Sequence, residues 1–181
     1  MSEALGRVAE ALDADGGLLS RALLADGPQV PAGDPQLGAR AAAGPRAAGS
    51  EREIATVVEA AYEGHLLHLG RSRILATDDL DLALLAGDRL YALGLAGLAG
   101  IGDVDAVREL ADVIALCAQA RAEDAGDLSD AAWEAGATAI GWGSGPALEA
   151  AKAAARRGEP GAADALRAAA RQLSGDVAPA R

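Results

Sequence analysis

The sequence has very few aromatic residues. They make up 2% of the 181 residues and include no phenylalanine, while alanine and leucine supply most of the 51% of residues that are hydrophobic. Sandwiches and barrels of β-strands depend on aromatic and β-branched side chains, whereas Ala and Leu are strong helix formers. Only 24% of the residues are charged, so the chain has enough apolar surface to fold around a core. The composition predicts an all-α protein.

Several other features are absent. The single cysteine, Cys117, excludes an internal disulfide and a thiolate zinc cluster. The N-terminal sequence has no basic segment followed by an apolar run, so it does not resemble a secretory signal. No stretch approaches ~20 uncharged apolar residues, so we predict no membrane span. These absences lead us to expect a cytoplasmic protein.

Positive charge is also scarce. The formal net charge is −11, from 27 acidic and 16 basic residues, and only one of the bases is a lysine. A chain this acidic repels a phosphate backbone, and no run of Lys and Arg is present to overcome that repulsion. We therefore exclude nucleic acids and anionic membrane surfaces as partners.

Helix caps and apolar spacing divide the first half of the chain. Residues 3–24 predict one or two helices interrupted at Gly16 and Gly17, and residues 25–49 form a connector rich in proline and glycine with a short helix at 35–43. Ser50 and Glu53 have the spacing of a capping box, which predicts that a helix begins there.

The second half of the chain predicts five more helices. One begins near Thr77 and carries leucines on every side, which is typical of a central, buried helix. Asp103 and Ser129 are expected to cap the next two helices, Pro146 begins another, and the last spans 160–173. We predict a helical bundle in a single domain, residues 1–175, followed by a tail at 176–181.

Each candidate catalytic, metal-binding or phosphate-binding motif is weak by itself. His65 and His68 have a spacing that can bind one metal ion, but His65 continues an apolar face and no third ligand is evident, so we favour packing. The aspartates at 78, 79 and 81 can bind a hard cation, or simply stabilise a helix start, which we favour. Cys117 lies on an apolar face, and the glycines at 141–145 lack the rest of a phosphate-binding loop.

Residues 84–93 carry a more specific signal. They read Leu-Leu-Ala-Gly-Asp-Arg-Leu-Tyr-Ala-Leu, and together with residues 98–114 they resemble the trans-polyprenyl diphosphate synthase family. The family-motif positions are Leu85, Ala86, Gly87 and Asp88. The resemblance covers residues 15–145 and implies an isoprenoid-synthase-like helical fold, truncated because the chain stops short of a complete synthase.

The catalytic motifs of that family are missing. Its enzymes hold a magnesium-bound allylic diphosphate with two aspartate-rich motifs. Where the first should lie, residues 69–73 read Leu-Gly-Arg-Ser-Arg, and where the second should lie, residues 143–146 read Gly-Ser-Gly-Pro. Residues 27–31 also lack the basic diphosphate-binding motif. The resemblance therefore implies no catalytic residues, no metal or other cofactor, and no activity of the chain alone.

The family also contains heteromeric synthases with a small subunit that lacks the aspartate motifs. The resemblance to that subunit implies a non-catalytic partner of a catalytic polyprenyl diphosphate synthase chain in isoprenoid or quinone-chain biosynthesis. It also implies a dimer, homo or hetero, with an interface drawn from residues 91–114; we select Tyr91, Leu95, Leu98, Val107, Leu110 and Ile114. Two alternatives remain open, a helical adaptor or scaffold unrelated to isoprenoids and a protein that binds a small apolar ligand between its helices.

Overall fold

The computed structural model describes residues 3–175, and over that range the chain is all-α, as predicted. Its helices are α1 (Glu3–Asp15), α2 (Gly17–Arg21), α3 (Leu37–Ala42), α4 (Glu51–His68), α5 (Leu80–Ile101), α6 (Val104–Ala122), α7 (Gly126–Trp142), α8 (Pro146–Arg156) and α9 (Ala162–Ser174). A single 3-10 turn, Pro45–Ala47, precedes α4. The predicted tail at 176–181 lies outside the described residues.

Two groups of buried side chains form the core. The larger group joins α3 to α9 around residues such as Leu110, Ile140 and Leu166, with α5 contributing Leu98. The smaller group joins α1 to α4 and α5 through Leu5, Leu90 and their neighbours. Helix α4 contributes to both groups and packs against α1, α3 and α5, so it is the central element of the bundle.

The segment predicted as a connector, residues 25–49, is part of the packed structure. Leu37 and Ala41 of α3 are fully buried between α4 and α7. Gly44 lies so close to Gly141 of α7 that a Cβ atom there would fall 2.2 Å from the Gly141 carbonyl. The proline- and glycine-rich composition therefore reflects close backbone packing as well as turns.

The prediction that α5 is buried on all sides is wrong. Leu80, Leu84 and Leu85 are 74%, 45% and 61% exposed. The helix turns its small residues toward α4, where a Cβ atom on Gly64 would lie 2.8 Å from the Gly87 carbonyl oxygen. Helices approach closely where both present glycine or alanine, and that arrangement leaves these leucines on the opposite side.

Helix α5 is also long and apolar enough to cross a membrane by length and composition. One third of its most apolar 18-residue window is buried within the protein. A core helix of a protein without a membrane segment meets the same criterion, so this finding assigns no location to the chain.

The predicted caps have mixed outcomes. Asp103 accepts a hydrogen bond from the Ala106 amide through its side chain and caps α6, and Pro146 begins α8, both as predicted. Helix α5 begins at Leu80 and not near Thr77, and its cap is Asp79, a residue that we predicted within the first turn. Ser50 precedes α4, but its side chain accepts no capping hydrogen bond. The prediction for Ser129 is wrong, because α7 begins at Gly126 and Ser129 is buried inside it.

Candidate functional site

The family-motif residues lie where α5 crosses the end of α4. Gly87 contacts α4 closely, since a Cβ atom there would lie 3.0 Å from the Gly64 carbonyl oxygen and 2.7 Å from Cδ2 of His68. Asp88 is exposed, and its Oδ1 atom lies 3.2 Å from Nε2 of His68. The His68 ring stacks on Tyr91 at 5.3 Å. Gly87 is thus required for the helix contact, while Asp88 and Tyr91 hold the second histidine.

A groove opens beside this contact. It has a volume of about 290 Å³ and lies between the end of α4 and the facing sides of α5 and α6. His68, Tyr91 and Cys117 line it together with apolar side chains, and Arg121 stands at its edge. A second recess of about 250 Å³ shares His65, Cys117 and Arg121 with it and continues to Ser129 and Arg71. The structure therefore brings both predicted histidines and the cysteine to one concave surface.

The polar groups behind this groove form a chain of contacts. His65 Nε2 lies 3.3 Å from the Ser129 hydroxyl, which donates to Cys117 Sγ at 3.3 Å. Burial, with the positive charge of Arg71, lowers the pKa of His65 to about 4. Burial raises the pKa of the Cys117 thiol to about 11. At neutral pH the histidine is uncharged and the cysteine is a thiol, so this set lacks the thiolate that a cysteine nucleophile needs.

No metal site forms around the histidines among the described residues. Within 3–175, the group with suitable ligand spacing is instead Glu109, Asp112 and Glu149, whose carboxylate oxygens lie within 4.8 Å of one another. The ammonium group of Lys152 occupies the centre of that group, 2.5 Å from Glu109, 3.0 Å from Asp112 and 2.9 Å from Glu149. Burial alone would lower the pKa of Lys152, but the hydrogen bonds that its ammonium group donates to these three carboxylates raise it.

A second buried cation has the same arrangement. Arg73 is 3% exposed and lies 2.8 Å from Glu59, 2.9 Å from Glu63 and 2.9 Å from Asp34. Burial alone would lower its pKa, but these carboxylates raise it instead. The guanidinium group also lies over the ring of Tyr62 at 5.0 Å. Arg73 thereby joins the 25–36 segment and the loop after α4 to the centre of the bundle.

The two buried cation clusters were not predicted from the sequence. Glu59 and Glu63 are four residues apart and share one face of α4, which was the available signal. Their partner Arg73 lies beyond the end of the helix, in a loop that only the tertiary structure folds back.

The remaining predicted positions serve local structure. Asp79 caps α5, and Asp78 and Asp81 are exposed. Gly143, at φ +90°, forms the turn between α7 and α8. These placements agree with our preferred interpretation of the aspartates as a helix start and of the glycines as a turn between helices.

The predicted interface residues fall into two groups. Leu98 and Leu110 are fully buried in the core, so they are removed from the candidate interface. The others are partly buried at the surface of the α5–α6 pair, where Tyr91 and Ile114 line the same groove. Two exposed alanines, Ala111 and Ala118, extend this apolar surface along α6. Ala111 lies four residues after Val107, and Ala118 lies seven residues after Ala111. We call this surface the α5–α6 face, made of Tyr91, Leu95, Val107, Ala111, Ile114 and Ala118.

No protein-family model, curated protein or solved structure matches this chain. The relationship to the polyprenyl diphosphate synthases therefore stays a prediction based on the residues quoted above.

Proposed function

We propose that the protein is a non-catalytic subunit that pairs with a catalytic polyprenyl diphosphate synthase chain. The observation that carries this proposal is the α5–α6 face, which is apolar along its length and is uncovered within the described residues. Along α6 it runs from Val107 through Ala111 and Ile114 to Ala118 without a charged residue. Stable interfaces are depleted of charge at their centres, and small side chains let a partner helix approach closely.

The charge clusters support a non-catalytic role. A magnesium-dependent prenyl transfer needs carboxylates that are free to bind the metal ion. In the Glu109 cluster, Lys152 occupies the position where a metal ion would lie, and in the Glu59 cluster Arg73 binds the carboxylates. These two acidic groups therefore hold cations of the chain itself and stabilise the fold.

The test is co-expression with a catalytic polyprenyl diphosphate synthase chain from the same organism, followed by size-exclusion chromatography with light scattering. We expect a stable complex whose activity or product length differs from that of the synthase alone. The variant Ala111→Glu places a charge in the α5–α6 face without altering the core and should weaken the complex. The matched control Ala165→Glu makes the same change at an exposed position of α9 and should leave it intact.

A complex that Ala111→Glu and Ala165→Glu affect equally would show that the α5–α6 face is not the interface. If no complex forms with that synthase, the proposal is wrong and the adaptor or scaffold alternative gains support.

The groove beside His68 favours a second candidate, a protein that binds a small apolar ligand. Its volume of about 290 Å³ and its lining of Leu69, Ile114 and Ala118 suit a small hydrophobic molecule. A thermal-shift screen of such molecules tests this candidate, because a ligand that binds the folded state raises its melting temperature. Ala118→Leu would fill the groove and should abolish any shift that arises there.

A further inference from the structure

We infer that the first two turns of α5 are a docking site for a basic amphipathic helix of a partner protein. The site consists of the exposed leucines Leu80, Leu84 and Leu85 and the exposed aspartates Asp78 and Asp81, and we call it the leucine–aspartate edge. It lies beyond the part of α5 that contributes to the α5–α6 face. The inference goes beyond the proposed function, because it does not require the partner to be a synthase.

The edge is held firmly by the bundle. On the opposite side of the same two turns, Ala83 and Ala86 are buried in the smaller core group, and Asp79 caps the helix. The outward side carries three leucines that are each between 45% and 74% exposed. Isolated exposed leucines are ordinary on protein surfaces, but three within six residues of one fixed helix form a contiguous apolar surface.

The charges around the leucines are predominantly negative and unpaired. Among the described residues, Asp78 and Asp81 take part in no ion pair. Arg89, the nearest base along the helix, is already bound to Asp15 at 2.7 Å. Asp88, on the following turn, lies beside His68. Arg121 stands across the groove, where it donates to the His68 carbonyl oxygen. The leucine–aspartate edge therefore presents mainly carboxylates, and few cations, to a partner.

This charge pattern selects among the possible occupants. A second copy of the chain docked symmetrically on the edge would bring the aspartates of both copies together, on a protein whose net charge is already −11. An anionic membrane surface would be repelled for the same reason. A helix with an apolar stripe flanked by lysine or arginine matches both the leucines and the aspartates.

The probe for the test is a synthetic, fluorescently labelled 18-residue peptide with leucines on one helical face and lysines elsewhere. A second peptide replaces every lysine by glutamate. Fluorescence anisotropy should show that the lysine peptide binds the protein and the glutamate peptide does not. Raising the salt concentration should weaken binding, since the charges are exposed.

Two sets of variants locate the binding site. The triple change Leu80→Gln, Leu84→Gln and Leu85→Gln should weaken binding by at least about tenfold, because anchoring side chains dominate interfaces. Its control, Val104→Gln, alters a similarly exposed apolar residue at the start of α6, away from the edge, and should have no effect.

The second set changes charge alone. Asp78→Asn with Asp81→Asn should weaken binding about threefold and reduce its salt dependence. Asp26→Asn with Asp164→Asn removes the same charge from exposed positions elsewhere and should leave binding unchanged. Equal effects of the two pairs would show that the peptide responds to net charge only, and the inference would be overturned.

Two further outcomes would also overturn it. One is dimerisation of the protein alone, measured by sedimentation, that the triple leucine variant abolishes, because a second copy would then cover the edge. The other is binding to phosphatidylcholine vesicles that the same variant abolishes, because the edge would then contact lipid.

Discussion

Replacing Arg73 by methionine should destabilise the protein strongly. Methionine keeps much of the side-chain volume but removes the charge that lies within 2.9 Å of Glu59, Glu63 and Asp34. These carboxylates are themselves almost inaccessible, with side-chain exposures of 3%, 0% and 6%. Removing one partner of a buried ion pair costs about 3–5 kcal/mol, because the remaining charges stay buried without compensation. We therefore expect the free energy of unfolding to fall by about 4 kcal/mol at pH 7.

Urea denaturation followed by circular dichroism at 222 nm measures this loss. With an m-value of about 2 kcal/mol/M, the urea midpoint should fall by about 2 M. The control is Arg157→Met, which removes an exposed arginine paired with an exposed Glu159 and should leave the midpoint unchanged. Adding Glu59→Gln to the Arg73→Met variant should recover part of the loss, because it removes one of the uncompensated charges.

The double variant gives the refuting result. A loss below about 1 kcal/mol for Arg73→Met at pH 7, or a Glu59→Gln addition that recovers none of the loss, would refute the interpretation of Arg73 as a buried charge partner.

Three more predictions concern packing and reactivity. Gly87→Ala should lower the free energy of unfolding by about 1–3 kcal/mol, because its Cβ atom would lie 3.0 Å from the Gly64 carbonyl oxygen and would also displace the His68 ring. Gly100→Ala should raise the free energy of unfolding by up to about 1 kcal/mol, since nothing lies within 4 Å of the added Cβ atom. Cys117 should react with a thiol reagent at pH 8 about 100-fold more slowly than a cysteine peptide, as its raised pKa of about 11 implies. Lys152→Met should lower the free energy of unfolding by about 3 kcal/mol at pH 7.

Each of these predictions has a contradicting outcome. Equal stabilities of the two glycine variants would show that α4 and α5 are not in close contact at Gly87. Rapid labelling of Cys117 in the folded protein would mean that the thiol is accessible through the groove. An unchanged urea midpoint for Lys152→Met would show that its carboxylate partners are solvated.

Local features of the chain could be predicted from the sequence because they depend on neighbouring residues. The abundance of alanine and leucine identifies the all-α class, and the breaks at Gly16 and Gly143 follow from glycine. Asp103 begins α6 because its carboxylate can accept a hydrogen bond from the amide three residues later in the chain.

The candidate site depended on contacts between residues far apart in the chain. Ser129 has the residue type of a helix cap, yet it lies inside α7, where it contacts His65, 64 residues earlier. The leucines of α5 indicate an apolar helix but not which of its sides contacts α4. That choice follows from the close packing of Gly64 against Gly87.

The sequence alone therefore determined the helical class, most helix ends and the acidic charge of the chain. The tertiary structure decided which charges are buried and which leucines are exposed. The physical reason is that helix formation is governed by interactions within a few residues, whereas burial depends on which distant elements meet. Arg73 is the clearest case, since its three carboxylate partners lie 10, 14 and 39 residues away along the chain.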